Sequence, residues 1–192
     1  MTTKGRIERV ARRVFARNGF DGASIRQIVA EARVTKPVLY YYFKNKHNLY
    51  LSLLEAAVAP LCERVELIAK GNASPLERLE EIVTAFLQFF RERPDEFHLL
   101  HRAVERRERE VQVIARTYFR QIFLAISRVL KEGVDGKSFR SLNISQTTFS
   151  VIAILVYYCT REHVIDEVLE HKQGSKALME TLSQHILALV RA

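Results

Sequence analysis

Two cysteines, four prolines and seven glycines in 192 residues leave little from which to build hairpins, long loops or a disulfide frame. Cys62 and Cys159 stand in apolar settings, so they point to a reducing compartment, and a cytoplasmic location is expected. No segment reads as a strand. No Walker loop, glycine-rich dinucleotide turn, set of metal-finger cysteines, internal repeat or low-complexity tract is present. Long hydrophobic runs are missing too. There is no N-terminal apolar run of signal-peptide type, and the most apolar stretch, residues 149–159, falls short of the roughly 20 residues a membrane span requires, so no membrane partner is expected. The apolar stripes also lack the inward-facing paired acids that a helical-bundle enzyme with a carboxylate or metal centre requires. No catalysis and no cofactor is therefore expected.

What the chain does have is apolar residues spaced three and four apart almost throughout, which predicts an all-α fold, and a 48% hydrophobic composition sufficient for a real core. Its formal charge of +8 is unevenly placed. Residues 1–50 hold 11 Lys+Arg against 3 Asp+Glu, whereas residues 51–192 hold 19 against 19. A basic N-terminal module on a neutral body suits phosphate binding, because affinity for a nucleic acid rises with the number of phosphates neutralised. A sequence-neutral architectural DNA binder would instead spread its basic residues over the body.

Residues 24–46, SIRQIVAEARVTKPVLYYYFKNK, place two short helices end to end. Ser24 caps the first, with Gln27 able to reach back to the cap, and Ile25, Ile28, Val29 and Ala32 share a face. Thr35 offers the second cap, and Pro37 sits in the first turn, where its missing N–H costs nothing. At 100° per residue Leu39 and Phe43 point one way, while Pro37 and Tyr41 point the other, flanked by Val38 and Tyr40; Tyr42 lies between the faces. A helix, a tight turn and a second helix with one free face follow the helix-turn-helix plan.

The run Val34-Thr35-Lys36-Pro37-Val38-Leu39-Tyr40-Tyr41-Tyr42-Phe43-Lys44-Asn45-Lys46, with Leu49 beyond it, resembles the recognition segment of the TetR family of bacterial transcriptional regulators. Ala11-Arg12-Arg13-Val14-Phe15, Gly19-Phe20 and Ser24-Ile25-Arg26-Gln27-Ile28-Val29 resemble that family's first two helices in order and spacing. The resemblance covers residues 6–50. It departs from the family at Arg33 and Pro37, where glycine is usual; Arg33 would have to accept a turn conformation that glycine takes more easily. The resemblance implies a DNA-binding domain over residues 1–46 and a helical ligand-binding and dimerisation domain over 47–192. On this reading Thr35, Lys36, Pro37, Val38, Tyr40, Tyr41 and Tyr42 meet bases or phosphates. Lys46 and the start of the second helix, Ser24, Ile25 and Arg26, grip the backbone.

About nine helices are expected. The first covers residues 5–18 and ends at Gly19, and a connecting helix runs over 47–70 with a kink at Pro60. Ser74-Pro75-Leu76-Glu77 opens another by a capping box and continues to residue 92; shorter and longer helices follow over 96–106 and 108–132, the latter ended by Gly133. The run 105–110 alternates in sign as a solvated junction does, and the loop 134–142 is the most mobile part of the body by composition. Helices over 144–170 and 175–190 close the chain, the first capped by Asn143 and Gln146 and the last showing Leu178, Leu182, Ile186, Leu189 and Val190 on one face. The 144–170 helix is apolar nearly all round, and one body offers one core, so its second apolar side meets a partner chain. The family's dimers, formed through the last two helices, agree with a homodimer.

Aromatic residues are dense in the body. Phe86, Phe89, Phe90, Phe97, Tyr118, Phe119, Phe123, Phe149 and Tyr157, with His98, His101 and Arg102 as polar anchors, are the candidate lining of a small-molecule pocket, although helical spacing accounts for each of them as core. His98 with His101, or Cys159 with His163, has the spacing to begin a metal site, but neither has the further ligands that would complete one, so no metal is expected. Together these readings predict a dimeric transcriptional regulator that represses from a palindromic double-stranded DNA operator until a small-molecule effector releases it.

Overall fold

The computed structural model describes residues 2–168 and 175–191, with the backbone alone at 162, 163, 166 and 175–179. The outer end of the predicted 144–170 helix and the side chains of His163 and Leu178 lie outside the described residues. The chain forms α1 (Thr3–Gly22), α2 (Ile25–Glu31), α3 (Lys36–Tyr42), α4 (Lys46–Ala69), α5 (Pro75–Glu92), α6 (Pro94–Glu105), α7 (Arg109–Ile114), a π turn (Ala115–Phe119), α8 (Arg120–Asp135), α9 (Ile144–Val168) and α10 (Ser175–Ala188). Where one helix was expected over 108–132, α7, the π turn and α8 follow one another without a gap, so the expected nine helices are found among the described residues when that run counts as one.

Two compact units divide the chain: Met1–Pro60 with Arg93–Tyr118, and Leu61–Glu92 with Phe119–Ala192. In the first, α1 packs against α2, α3 and α6. Its core gathers Ile7, Val14 and Phe15 from α1, Ile28 from α2, Leu39 from α3, and Leu49, Tyr50, Leu53 and Leu54 from the start of α4. In the second, α5 is central and packs against α8, α9 and α10, burying Leu79, Ile82, Ile126, Val129, Val151, Leu155 and Ile186. Burying each such side chain contributes about 1.5–3 kcal/mol.

Local signals set most of the boundaries. The Glu77 carboxylate accepts from the Ser74 N–H at 2.9 Å and the Ser74 hydroxyl at 2.7 Å, while the Glu77 N–H donates back to Ser74 Oγ at 3.3 Å. This is the full capping box that opens α5, and its hydrogen bonds hold the Glu77 carboxyl below the usual carboxylate range. The Gln146 N–H donates to Asn143 Oδ1 at 3.1 Å, so Asn143 caps α9 as expected.

Of the two glycines read as terminators, one breaks its helix and the other does not. Gly19 leaves helical geometry at φ +71, so the first helix breaks there as expected before a short further run to Gly22, and a β-carbon at this position would overlap the Arg106 guanidinium. Gly133 lies inside α8, two residues before its end, and a β-carbon there would overlap the ring of Phe139. Phe139 folds back because its N–H donates to the Gly133 carbonyl at 2.9 Å. The loop 134–142 is tied further by Arg140, whose N–H donates to the Val190 carbonyl at 3.1 Å and whose Nε donates to the Leu189 carbonyl at 2.9 Å. The helix α4 continues through Pro60.

Candidate nucleic-acid interface

The segment 24–46 forms as two helices with a four-residue connection, Ala32 to Thr35. Ser24 Oγ accepts the Gln27 N–H at 3.1 Å and caps α2. The reciprocal half of the box is absent: Gln27 Oε1 accepts from Asn18 Nδ2 at 3.3 Å, and its Nε2 donates to Glu31 Oε1 at 3.0 Å. Gln27 therefore joins α2 to α1. Thr35 stands at the cap of α3 in extended backbone but makes no capping hydrogen bond; Pro37, at the second position of the helix, removes one of the orphan donors instead. Arg33 adopts φ +50, the left-handed conformation that the turn imposes. For an L residue this costs about 1–2 kcal/mol.

The facing of α3 is as its periodicity requires. Leu39 is 0% exposed and Phe43 is buried beside it, whereas Tyr41 is 82% exposed. Thr35, Lys36, Pro37, Val38, Tyr40 and Tyr42 are also exposed, as are Ser24 and Arg26, while Ile25 is half-buried. The Tyr41 and Tyr42 rings meet edge to face at 5.0 Å. Lys46 is held rather than free: its Nζ lies 4.5 Å from the centre of the Phe20 ring and donates to the Asp21 carbonyl at 3.4 Å. Its charge is thereby fixed where the end of α1 meets the start of α4.

Behind this face, within the same unit, α6 and α7 support the head through contacts that the 105–110 run did not announce. Arg12 pairs with Glu96 at 2.8 Å, Arg102 donates to the Ala16 carbonyl, and Arg106 Nη1 donates to the Asn18 carbonyl at 3.3 Å. Glu108 accepts from the Tyr50 hydroxyl and from the Phe20 N–H, and the buried Glu110 lies 2.9 Å from His47 Nδ1. The run is thus docked through Glu108 and Glu110, while Glu105, Arg106, Arg107 and Arg109 stay exposed as a solvated junction would. Burial, with the Glu108 carboxylate second, pushes the Tyr50 phenol well above its ordinary value. The sequence carried one signal for this: acids at 108 and 110 in a chain whose head is short of them.

An exposed α3 face beside a capped α2, on the basic end of the chain, is the arrangement that defines a helix-turn-helix head. Residues 7–53 match the family described as "Bacterial regulatory proteins, tetR family", and residues 75–190 match "Tetracyclin repressor-like, C-terminal domain". The chain belongs to the TetR family. The transcriptional repressor NicS of Pseudomonas putida is similar to it, at 30% identity over 93 residues that cover 48% of this chain and 44% of that protein. So is the transcriptional repressor SCO4008 of Streptomyces coelicolor, at 36% over 89 residues covering 46% of each. The chain thus spans less than half the length of these curated relatives. The ketosteroid transcriptional regulator KstR2 of Mycobacterium tuberculosis has a similar fold, with a TM-score of 0.80 at 18% identity over 100% of this chain and 96% of that one.

The residues proposed from sequence for the TetR-type pocket are divided between the two units. In the first, Phe97 is buried and stacks on His101 at 5.8 Å, His98 and Arg102 are exposed, and Tyr118 is half-buried in the π turn. In the second, Phe86 and Phe89 are buried and each ring lies about 6 Å from that of the half-buried Phe90. Phe119 is half-buried, and Phe123 meets Phe149 at 4.8 Å between ring centres. Phe149 and Tyr157 are 61% and 56% exposed. A cleft of about 690 Å³ runs between α5 and α10, lined by Thr84, Leu87, Gln88, Arg91, Gln184 and Arg191 among others, and a second of about 420 Å³ lies between α4 and α5. None of the proposed aromatic residues lines either cleft. Among the described residues there is no group of three or more His, Cys, Asp or Glu that could hold a metal ion, and no helix long and apolar enough to cross a membrane.

Proposed function

We propose that the protein is a homodimeric, effector-responsive repressor of transcription that binds a palindromic DNA operator. The observation that carries this reading is the solvent-facing surface of α3, from Thr35 to Tyr42, on a family-matched helix-turn-helix whose end of the chain holds all the excess positive charge. Residues 1–46 bind DNA and residues 47–192 bind effector and partner. The α3 helix enters the major groove, where Lys36 supplies a donor and Pro37, Val38 and the tyrosine rings make apolar contact with thymine methyls. Ser24, Ile25, Arg26 and Lys46 position the head on the backbone. With no Arg, Asn or Gln on the reading face, part of the selectivity comes from DNA shape.

Dimerisation is supported by the uncovered apolar side of α9. Phe149 and Tyr157, eight residues apart on one face, stand largely exposed while Val151 and Leu155 are buried on the opposite side. A two-fold pair of heads reads half-sites about one helical turn apart, or a multiple of it. An effector bound in the helical body changes the separation of the heads and lowers operator affinity, and by linkage the operator lowers effector affinity by the same factor. The aromatic content of the body favours a hydrophobic effector.

The test begins with selection of binding duplexes from a random pool, followed by mobility shifts at rising salt against random DNA of equal length. Preference for one palindrome, bound by a dimer in light scattering, supports the reading; equal affinity for all duplexes overturns it in favour of an architectural role. A reporter placed behind the selected site then separates repression from activation.

A further inference from the structure

We propose that Arg33, in the turn between α2 and α3, is a phosphate contact that adds to the grip of the head on duplex DNA. The proposal rests on the reading of the head as a DNA reader and assigns a contact outside the face of α3.

Three observations carry it. The turn closes with the Arg33 N–H on the Ala30 carbonyl at 3.1 Å and the Val34 N–H on the Val29 carbonyl at 3.0 Å, and this geometry sets Arg33 at φ +50. Glycine accepts that conformation freely; the chain instead keeps its longest permanently charged side chain there, against the local preference. Arg33 is also exposed, and its charge is uncompensated. The acid nearest in sequence, Glu31, accepts from Gln27 Nε2 at 3.0 Å, and no ion pair or hydrogen bond of the Arg33 side chain occurs among the described residues. Finally, Arg33 precedes by three residues Lys36, which opens the exposed α3 and is the one cation on that helix. Two other cations of the head have partners within the protein, Arg12 with Glu96 and Lys46 with Phe20 and Asp21, whereas Arg33 has its charge free among the described residues.

A guanidinium fits a phosphate with two parallel hydrogen bonds, and its partner here follows from its place. On the turn rather than on the face of α3, it is offered to the strand backbone flanking the groove and not to base edges. A phosphate contact strengthens binding to every sequence alike and releases counterions, so its signature is the salt dependence of affinity.

The experiment uses the full chain, with fluorescence anisotropy on a selected duplex and on a scrambled duplex of equal length between 50 and 300 mM KCl. Arg33→Gly and Arg33→Asn both remove the charge while accepting the left-handed backbone, so thermal melting should show both variants folded. Each is expected to weaken both duplexes by a similar factor, on the order of 3- to 10-fold at low salt, leaving their ratio unchanged. The slope of log affinity against log salt should become shallower by about 0.9 per head. Arg33→Lys should keep the slope and lose only part of the affinity, because an ammonium is a single-point contact. Unchanged slopes in the Gly and Asn variants would overturn the contact, and so would a loss confined to the selected duplex, which marks a base contact. If the wild type bound no duplex at all, the reading of the head would fall, and this contact with it.

Discussion

Replacing Tyr50 by Phe tests whether the junction of α6 and α7 holds the helix-turn-helix head in place. Tyr50 is 1% exposed, and its hydroxyl donates to Glu108, whose other oxygen takes the Phe20 N–H at 3.4 Å. Removing the hydroxyl deletes a hydrogen bond to a charged, part-buried group and leaves that carboxylate with the long Phe20 contact. Such a loss costs about 1.5–3 kcal/mol. The pH dependence gives a second, independent handle. Burial, then the Glu108 hydrogen bond, raises the folded-state value of the phenol above that of the unfolded chain. The phenol therefore contributes its full stability below about pH 10, where it is protonated in both states, and loses it as pH rises beyond, because the unfolded chain ionises first. By pH 11 the wild type should have lost about 1.4 kcal/mol that the Phe variant never had. Urea melts from pH 8 to pH 11 should thus show two stabilities well separated at the lower end and converging at the upper. A gap that stays constant with pH, or a Phe variant as stable as the wild type at pH 8, would refute the burial and pairing of this hydroxyl.

Tyr41→Ala should leave thermal stability within about 0.5 kcal/mol while weakening operator binding, whereas Leu39→Ala should cost about 2–5 kcal/mol of stability; the reverse pattern in melting and anisotropy would invert the facing of α3. Gly133→Ala should destabilise by about 1–3 kcal/mol through overlap with the Phe139 ring, and by less in a Phe139→Ala background; additive costs in a double-mutant cycle would show that the two do not meet. The paired change of Phe149 and Tyr157 to Glu should convert the dimer to a folded monomer in light scattering, because both side chains already stand exposed in the single chain. A dimer that survived it would move the interface away from α9.

Much of this protein is legible one turn at a time. The Ser24, Ser74 and Asn143 caps, the helix breaks before Pro75 and Pro94 and the division of α3 between Leu39 and Tyr41 all depend on residues three or four apart, and a helix settles such relations by its own geometry. The positive φ of Arg33 is an expectation of another kind, implied by the resemblance to a family in which glycine is usual at that position. The basic head could be counted directly.

What the string of residues left open is every partnership across a long separation. Glu108 reaches Tyr50 and Phe20 from 58 and 88 positions away, Arg12 finds Glu96 across 84, and Arg78, buried in the second unit, donates to the Ala69 carbonyl at 2.9 Å and pairs with Glu132. Those choices docked Glu108 and Glu110 out of an otherwise exposed charge run. Local hydrogen bonds and periodicity decide which residues are helical and which side of each helix is apolar. Only the packed chain decides which apolar side meets which and which charge is desolvated with its opposite, because those energies exist once distant segments have excluded water between them.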